Sequence, residues 1–238
     1  MSGAYLMRDL IASAALAADG KDPGLPPLEP KKELETYFPL WAKGFSGRFK
    51  NMAFGVRTFA PMLYRGRPTV PVFDRKAPFE ERKAFILART LSPETVDALH
   101  KTARKHGTTL HGALLAAQVL AIARDRGLAK KRAFFVGSPV NLRSRLTPPV
   151  EEDVGFFVTM GVSINLCKAD SEFWPLAREI RQSLWNCVER GDPFVFRYQQ
   201  KDLSRISAIT GVGTLGAKIY ATLSSKLCAG GMAAISDV

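Results

Sequence analysis

Between Val154 and Leu166 the chain alternates. Val154, Phe156, Val158, Met160, Val162, Ile164 and Leu166 are apolar, and between them stand Gly155, Phe157, Thr159, Gly161, Ser163 and Asn165. Of that second set only Phe157 is large and apolar. A helix repeats its faces about every 3.6 residues, so a period of two over this length is not helical. The spacing predicts a half-buried strand or hairpin, bent at Gly161. A strand needs a second layer to cover it, and the flanking segments supply one.

After the strand, Ser171 is placed to cap a long amphipathic helix. Phe173, Leu176, Ala177, Ile180, Leu184 and Val188 share one face, and Gly191 closes it. Before it, AFFVGSPV (133–140) reads as a second strand. Further back, Ser92-Pro93-Glu94 is a helix start: a cap, a proline at the first helical position and an acid in the first turn. Val96, Leu99 and Ala103 follow at helical spacing, and Gly107 stops the run. Thr108 or Thr109 caps the next helix, LHGALLAAQVLAIARDRG, which ends at Gly127. Its apolar residues wrap much of its circumference, which predicts burial on more than one side. KAFILARTL (83–91) predicts another strand. Helices and strands alternate, so the fold class is α/β or α+β.

The N-terminal part is less regular. Residues 1–20 form a helix in which Ser2 caps, Leu6, Leu10 and Ala14 line one face, and Gly20 ends it. A secretory leader fits poorly, because Asp9 leads straight into the apolar stretch. Residues 21–30 hold four prolines and a glycine and make an extended linker. The stretch 31–82 is aromatic, basic and partly helical. No apolar run approaches the roughly 18–20 residues that span a bilayer.

Charge and cysteine usage narrow the class. The net charge is +12, which suits anionic partners of several kinds. Arg126, Lys130, Lys131 and Arg132 cluster at a helix end, with no recognition helix or aromatic-interleaved strand to make them a nucleic-acid site. Cys167, Cys187 and Cys228 are widely spaced with no C-x-x-C pair, which argues against disulfides and zinc and for a reducing cytoplasm. No metal site is expected. His100, His106 and His111 read as structural or surface histidines, since no Ser-His-Asp order or G-x-S-x-G elbow accompanies them. Gly211-Val-Gly213-Thr-Leu-Gly216 is a literal dinucleotide fingerprint between a strand-like ISAIT and a helix-like AKIYATLSSKL, with Asp237 in the place of a ribose-binding acid. NAD(P) binding through Gly211–Gly216 is therefore an alternative. Against it, the sheet that such a fold needs does not follow.

Four stretches together resemble the chloramphenicol-acetyltransferase-like superfamily, which includes condensation domains of peptide synthetases, alcohol acetyltransferases and polyketide-associated mycocerosyl transferases. They are SPETVDALHKTARKHGTTLHGALLAAQVLAIAR, GSPVNLR (137–143), DVGFF (153–157) and the opening MSGAYLMRDL. The opening is similar to the segment immediately after the superfamily's H-H-x-x-x-D-G signature. GMAAISDV is similar to its S-N-x-G strand, with Asp237 where asparagine is usual. The resemblance implies a two-layer sandwich lobe. It implies residues 1–30 as helix and linker leaving an N-terminal lobe that is absent here, 31–82 as the inter-lobe connection, and 83–238 as the C-terminal acyltransferase lobe.

The implied activity is transfer of an acyl group from a thioester, on coenzyme A or a carrier protein's phosphopantetheine, to an alcohol or amine. The thioester is a co-substrate, and no permanently bound cofactor is implied. An acidic carrier protein is a possible partner; nucleic acid is not. Ser2, Ser138, Asn141, Arg143, Gly155, Phe156 and Thr159 are expected beside the substrate tunnel. By motif position Arg143 pairs with the signature aspartate in a structural ion pair; read without the motif, it is an exposed loop arginine. The sequence contains no H-H-x-x-x-D-G. The catalytic histidine is therefore expected upstream of Met1, in a truncated chain inactive by itself. The alternative is a non-catalytic remnant or binding module of the same fold.

Overall fold

The computed structural model describes residues 2–22, 24, 32–65, 68–69, 86–195, 197 and 233–234. Two strands form its spine. β1 (Arg132–Asn141) pairs antiparallel with β2 (Val158–Cys167), with Phe134 opposite Asn165 and Ser138 opposite Gly161. A two-residue strand, β3 (Ala233–Ala234), runs parallel to β1 on its other side, giving the order β2-β1-β3.

Among the described residues five helices are complete: α1 (Ser2–Ala18), α2 (Gly44–Arg65), α3 (Pro93–Lys105), α4 (Leu110–Asp125) and α5 (Phe173–Glu189). The α3–α4 pair follows its sequence signals closely. The Ser92 hydroxyl accepts the Thr95 N–H at 3.3 Å, and Thr109 accepts that of Gly112 at 3.1 Å. Gly107 and Gly127 terminate the two helices at φ of 72° and 57°, where a side chain would be strained. No helix among the described residues is long and apolar enough to cross a membrane.

The main core lies between the sheet and the α4–α5 layer. Leu115, Val119, Leu120 and Ala123 of α4 meet Leu176, Ile180 and Leu184 of α5 above Phe134 and Val136. The α4 helix buries one broad face rather than several sides, and Leu114 opposite remains exposed. Helix approach is set at Gly112. A Cβ there would lie 2.8 Å from Thr108 Oγ1 and 3.1 Å from the Ala177 carbonyl oxygen.

The alternation in β2 is present, but its polar and small face is the covered one. Thr159, Gly161, Ser163, Asn165 and Cys167 are buried beneath α5 and the turn after it, while Met160, Ile164 and Leu166 of the apolar set stay half-buried. Hydrogen bonding permits this inversion. Asn165, 0% exposed, accepts from Ser163 Oγ at 2.8 Å and reaches Glu179 and Ser183 of α5 at 3.4 Å. The apolar face is covered in part by α2, where Phe54 packs on Val162 with Val195.

Three expectations are corrected. Residues 86–91, the described part of the stretch expected as a strand, have no regular structure and expose Ile86, Leu87 and Leu91. They have no ladder partner among the described residues, and consecutive apolar residues do not by themselves make a strand. The alternating strand begins at Val158, not Val154. Ser171 does not cap α5; its hydroxyl accepts the Lys168 N–H, and Glu172 precedes the helix without a side-chain cap. Gly211–Gly216, Asp237 and Cys228 lie outside the described residues.

This packing can be tested at two positions. Ala at position 112 gains about 1 kcal/mol of helix propensity, but overpacking costs about 1–3 kcal/mol. Gly112→Ala is therefore expected to lower stability in urea unfolding. Burial also pushes the Cys187 thiol up to about 11, against the weaker opposing effect of the Val162 N–H it accepts at 3.3 Å. The unfolded thiol ionises at about pH 8.5. Stability from neutral Cys187 is complete below that range and is lost as pH rises toward 11. Urea midpoints should fall across this window, and fall less in Cys187→Ala.

Candidate functional site at the end of the sheet

The chain leaves β1 through Asn141-Leu142-Arg143. Asn141 Oδ1 accepts the Arg143 N–H at 3.1 Å, and the Leu142 N–H donates to the Phe157 carbonyl at 2.8 Å. These bonds turn the chain into a short 3-10 turn, Arg143–Arg145, and bring the following loop back to the start of β2. Leu142, Leu146, Val150 and Phe157 then pack with Leu34, Phe38, Ala42 and Phe194 in a second core that fixes the loop from inside.

Arg143 is the centre of this loop. It is 6% exposed. Its Nη1 donates to the Glu151 carbonyl at 2.6 Å, and its Nη2 donates to the Asp153 carbonyl and to Ser2 Oγ, each at 2.6 Å. The guanidinium lies 4.6 Å from the Phe157 ring centroid and 5.4 Å from that of Tyr5. Two backbone carbonyls and the Ser2 hydroxyl thus take three of its five N–H donors, and the ring faces lie against its charge. No carboxylate among the described residues lies within ion-pair distance of it.

Ser2 closes the arrangement from α1. Its hydroxyl donates to the Gly155 carbonyl at 2.5 Å and accepts the Gly155 N–H at 3.2 Å, besides the Arg143 donor. It therefore does not cap its own helix, which corrects the local reading. Gly155 is needed where it stands, because a Cβ would sit 2.7 Å from the Phe157 ring. Arg8, two turns along α1, pairs with Glu152 at 2.8 Å. Tyr5 lies between. Ser2, Tyr5 and Arg8 are one side of the helix, and α1 has no buried residue at all. It docks by polar contacts and leaves Leu6, Met7, Leu10 and Ile11 exposed.

Of the expected site residues, Ser2, Asn141, Arg143 and Gly155 converge. Ser138 and Thr159 do not bond to them. Both are buried on the helix side of the sheet: Ser138 Oγ lies 2.8 Å from His111 Nε2, and Thr159 donates to the Pro193 carbonyl at 2.9 Å. Phe156 projects outward, 71% exposed. Arg143 is buried, so the exposed-loop reading is set aside. Sequence reasoning missed Tyr5 and Phe157, the two rings on Arg143. Tyr5 sits three residues from Ser2 on a helix, a spacing that would have found it.

Removing Arg143 strands two carbonyls and takes one of three hydrogen bonds from the Ser2 hydroxyl. Arg143→Ala should cost about 3–4 kcal/mol and Ser2→Ala about 1 kcal/mol in urea unfolding. The double variant should lose less than the two single losses combined, by at least about 0.5 kcal/mol, because they share one hydrogen bond. Full additivity would mean that the bond does not couple α1 to the loop.

Comparison with known proteins gives the family and the fold. Residues 85–205 match the family model described as phthiocerol/phthiodiolone dimycocerosyl transferase C-terminus. Bacitracin synthase 2 of Bacillus licheniformis is 30% identical over 126 residues, covering 52% of this chain and 4% of that protein. Among solved structures, the EpoB NRPS cyclization-docking bidomain from Sorangium cellulosum has a TM-score of 0.51 at 21% identity, covering 74% of this chain and 35% of that one. Polyketide synthase associated protein 5 from Mycobacterium tuberculosis has a TM-score of 0.48 at 18% identity, covering 81% of this chain and 47% of that one. The chain spans less than half the length of each of these relatives. The fold is that of a lobe of the condensation-domain, chloramphenicol-acetyltransferase-like kind. Since the family match takes in half of the chain, including GSPVNLR, DVGFF and the Arg143 loop, the protein belongs to the phthiocerol/phthiodiolone dimycocerosyl transferase C-terminus family.

Proposed function

We propose that this chain is the C-terminal lobe of an acyltransferase. It moves an acyl group from a thioester, on coenzyme A or on a carrier protein's phosphopantetheine, to an alcohol or amine. The observation that carries the reading is the family match over residues 85–205. The site supports it through Arg143, a buried cation held rigid by carbonyls and open to a carboxylate from elsewhere.

In this reading the base is a histidine carried by polypeptide outside the 238 residues, within an H-H-x-x-x-D-G signature that the sequence does not contain. His100, His106 and His111 do not replace it; His106 stacks on Trp174 and His111 bonds Ser138. The base removes the acceptor's proton as its oxygen or nitrogen attacks the thioester carbonyl, and the thiolate leaves. Arg143 is a positioning residue. It holds Ser2 and the 151–155 loop in register, and through them the helix that leaves the signature. Residues 1–30 then carry the chain out of the N-terminal lobe, 31–82 connect the lobes, and 83–238 form the C-terminal lobe. A reducing cytoplasm suits the buried free thiols Cys167 and Cys187.

The test is thiol release from acyl-CoA in the presence of simple alcohols and amines. The 238-residue chain alone is expected to release thiol no faster than buffer. A protein extended by the in-frame upstream residues is expected to turn over, and Arg143→Ala in it to lower kcat by about tenfold or more through misplacement of the base. Turnover by the 238 residues alone, or upstream residues without the signature, would overturn the assignment of the base. An extended, folded protein that transfers no acyl group would favour the non-catalytic reading.

A further inference from the structure

Helix α2 shows an apolar stripe to solvent, and acyl transfer does not use it. The roll of the helix is set from inside. Phe54 is buried against Val162 and Val195, and Arg57 Nη2 reaches the buried Asp192 at 2.8 Å. At about 3.6 residues per turn, Phe45 stands roughly half a turn round from Phe54, and Phe49, Met52 and Val56 fall within about 40° of Phe45. All four are exposed: Phe45 by 87%, Phe49 by 60%, Met52 by 62% and Val56 by 63%. Their spacing of four, three and four residues keeps them in one straight row about 17 Å long.

Charge says what suits this stripe. Between Gly44 and Arg65 the helix holds Arg48, Lys50, Arg57 and Arg65, and no aspartate or glutamate. Lys50 Nζ lies 3.9 Å over the ring of Trp41, just before the helix. Helix α1 also exposes apolar residues, but its one cation, Arg8, is neutralised by Asp9 and Glu152, each at 2.8 Å. An apolar row on a helix with basic residues and no acid is the composition that lies flat in an anionic lipid surface. No helix among the described residues is long and apolar enough to cross a bilayer, so lying on it is the mode left to α2. A second copy of this chain fits less well, because it would set one acid-free basic helix against another.

We infer that α2 docks the protein on an anionic lipid bilayer surface, with Phe45, Phe49, Met52 and Val56 below the headgroups. Lys50 and Arg57 stand about 120–140° round from Phe45, which is headgroup level for a helix lying flat. There they meet the lipid phosphates. The apolar row supplies burial, and the cations select the charge of the surface. The +12 net charge favours the encounter. This docking does not depend on the proposed acyl transfer.

The experiment sediments the 238-residue chain with sucrose-loaded vesicles of equal parts phosphatidylglycerol and phosphatidylcholine, and with vesicles of phosphatidylcholine alone. Partition onto the anionic vesicles should be at least about tenfold greater and should fall as salt is raised. Phe49→Glu places an acid in the row and should lower that partition about tenfold or more. Leu10→Glu makes the same charge change on α1 and should leave it within about twofold. Both positions are exposed, and circular dichroism checks that both variants fold. Should Phe49→Glu not fold, Met52→Gln takes its place, with a loss of about threefold or more. No binding, equal binding to phosphatidylcholine alone, an unchanged folded Phe49→Glu, or an equal loss in Leu10→Glu would each overturn the inference. So would a dimer, seen by light scattering, that Phe49→Glu dissolves, since a second copy would then be the occupant. Binding that disappears in the protein extended by its upstream residues would also overturn it, because the upstream polypeptide would then cover the row.

Discussion

A guanidinium withdrawn from water must find acceptors in fixed places, because its donors form a planar fork and its charge is permanent. Arg143 meets that demand at the end of the sheet, and much of the local structure answers to it. The 151–155 loop turns its carbonyls inward to the fork. Phe157 sets its ring against the charge, and Gly155 is small enough to let that ring pass. Ser2 joins α1 to the same group. Since a half-satisfied buried cation is strongly destabilising, these acceptors act as a set. The second core, from Leu34 to Phe194, is the apolar support that keeps the set in place.

The same logic explains the sheet. Its helix side carries Ser138, Thr159, Ser163 and Asn165, residues that favour the surface. Ser138, Thr159 and Asn165 have partners on the covering layer, His111, Pro193 and α5 respectively, and Ser163 donates to Asn165 on the same strand. A buried polar array of this sort specifies register more sharply than apolar packing, because a slip by one residue takes Ser138, Thr159 and Asn165 away from their partners on the covering layer. The apolar face is then free to point toward α2, where Val162 is covered and Ile164 is half-buried.

Legibility in the sequence divides along this line. Elements defined by local chemistry can be read: Ser92 and Thr109 as caps, Gly107, Gly127 and Gly191 as stops at positive φ, and the strand Arg132–Asn141 within a residue of its expected bounds. Alternation announces β2 but does not say which face turns inward, because that depends on partners more than ten residues away on α5. Burial of Arg143 is legible only through resemblance to a family motif; composition alone makes it a surface residue. The placing of Ser2 near Arg143 has the same source. Its bond to Gly155 escapes sequence reasoning, since local rules assign a serine at a helix start to its own helix. Ser138 and Thr159 stand on the strands that the resemblance sets beside the tunnel. The structure turns their side chains to the helix layer, a consequence of the inverted face.

Three successive residues join the loop to α2 and the end of α5. Asp192 holds Arg57 of α2 and Arg190 after α5, Pro193 accepts the Thr159 hydroxyl at the start of β2, and Phe194 packs edge-on against Phe38 at 4.9 Å in the core that supports Phe157. Phe157 in turn carries Arg143. The contacts are contiguous and stiff: one charged pair set, one buried hydrogen bond and one aromatic pair. A rigid link of this kind does not by itself transmit a signal, which needs an element with two arrangements. It does fix the geometry of one end relative to the other.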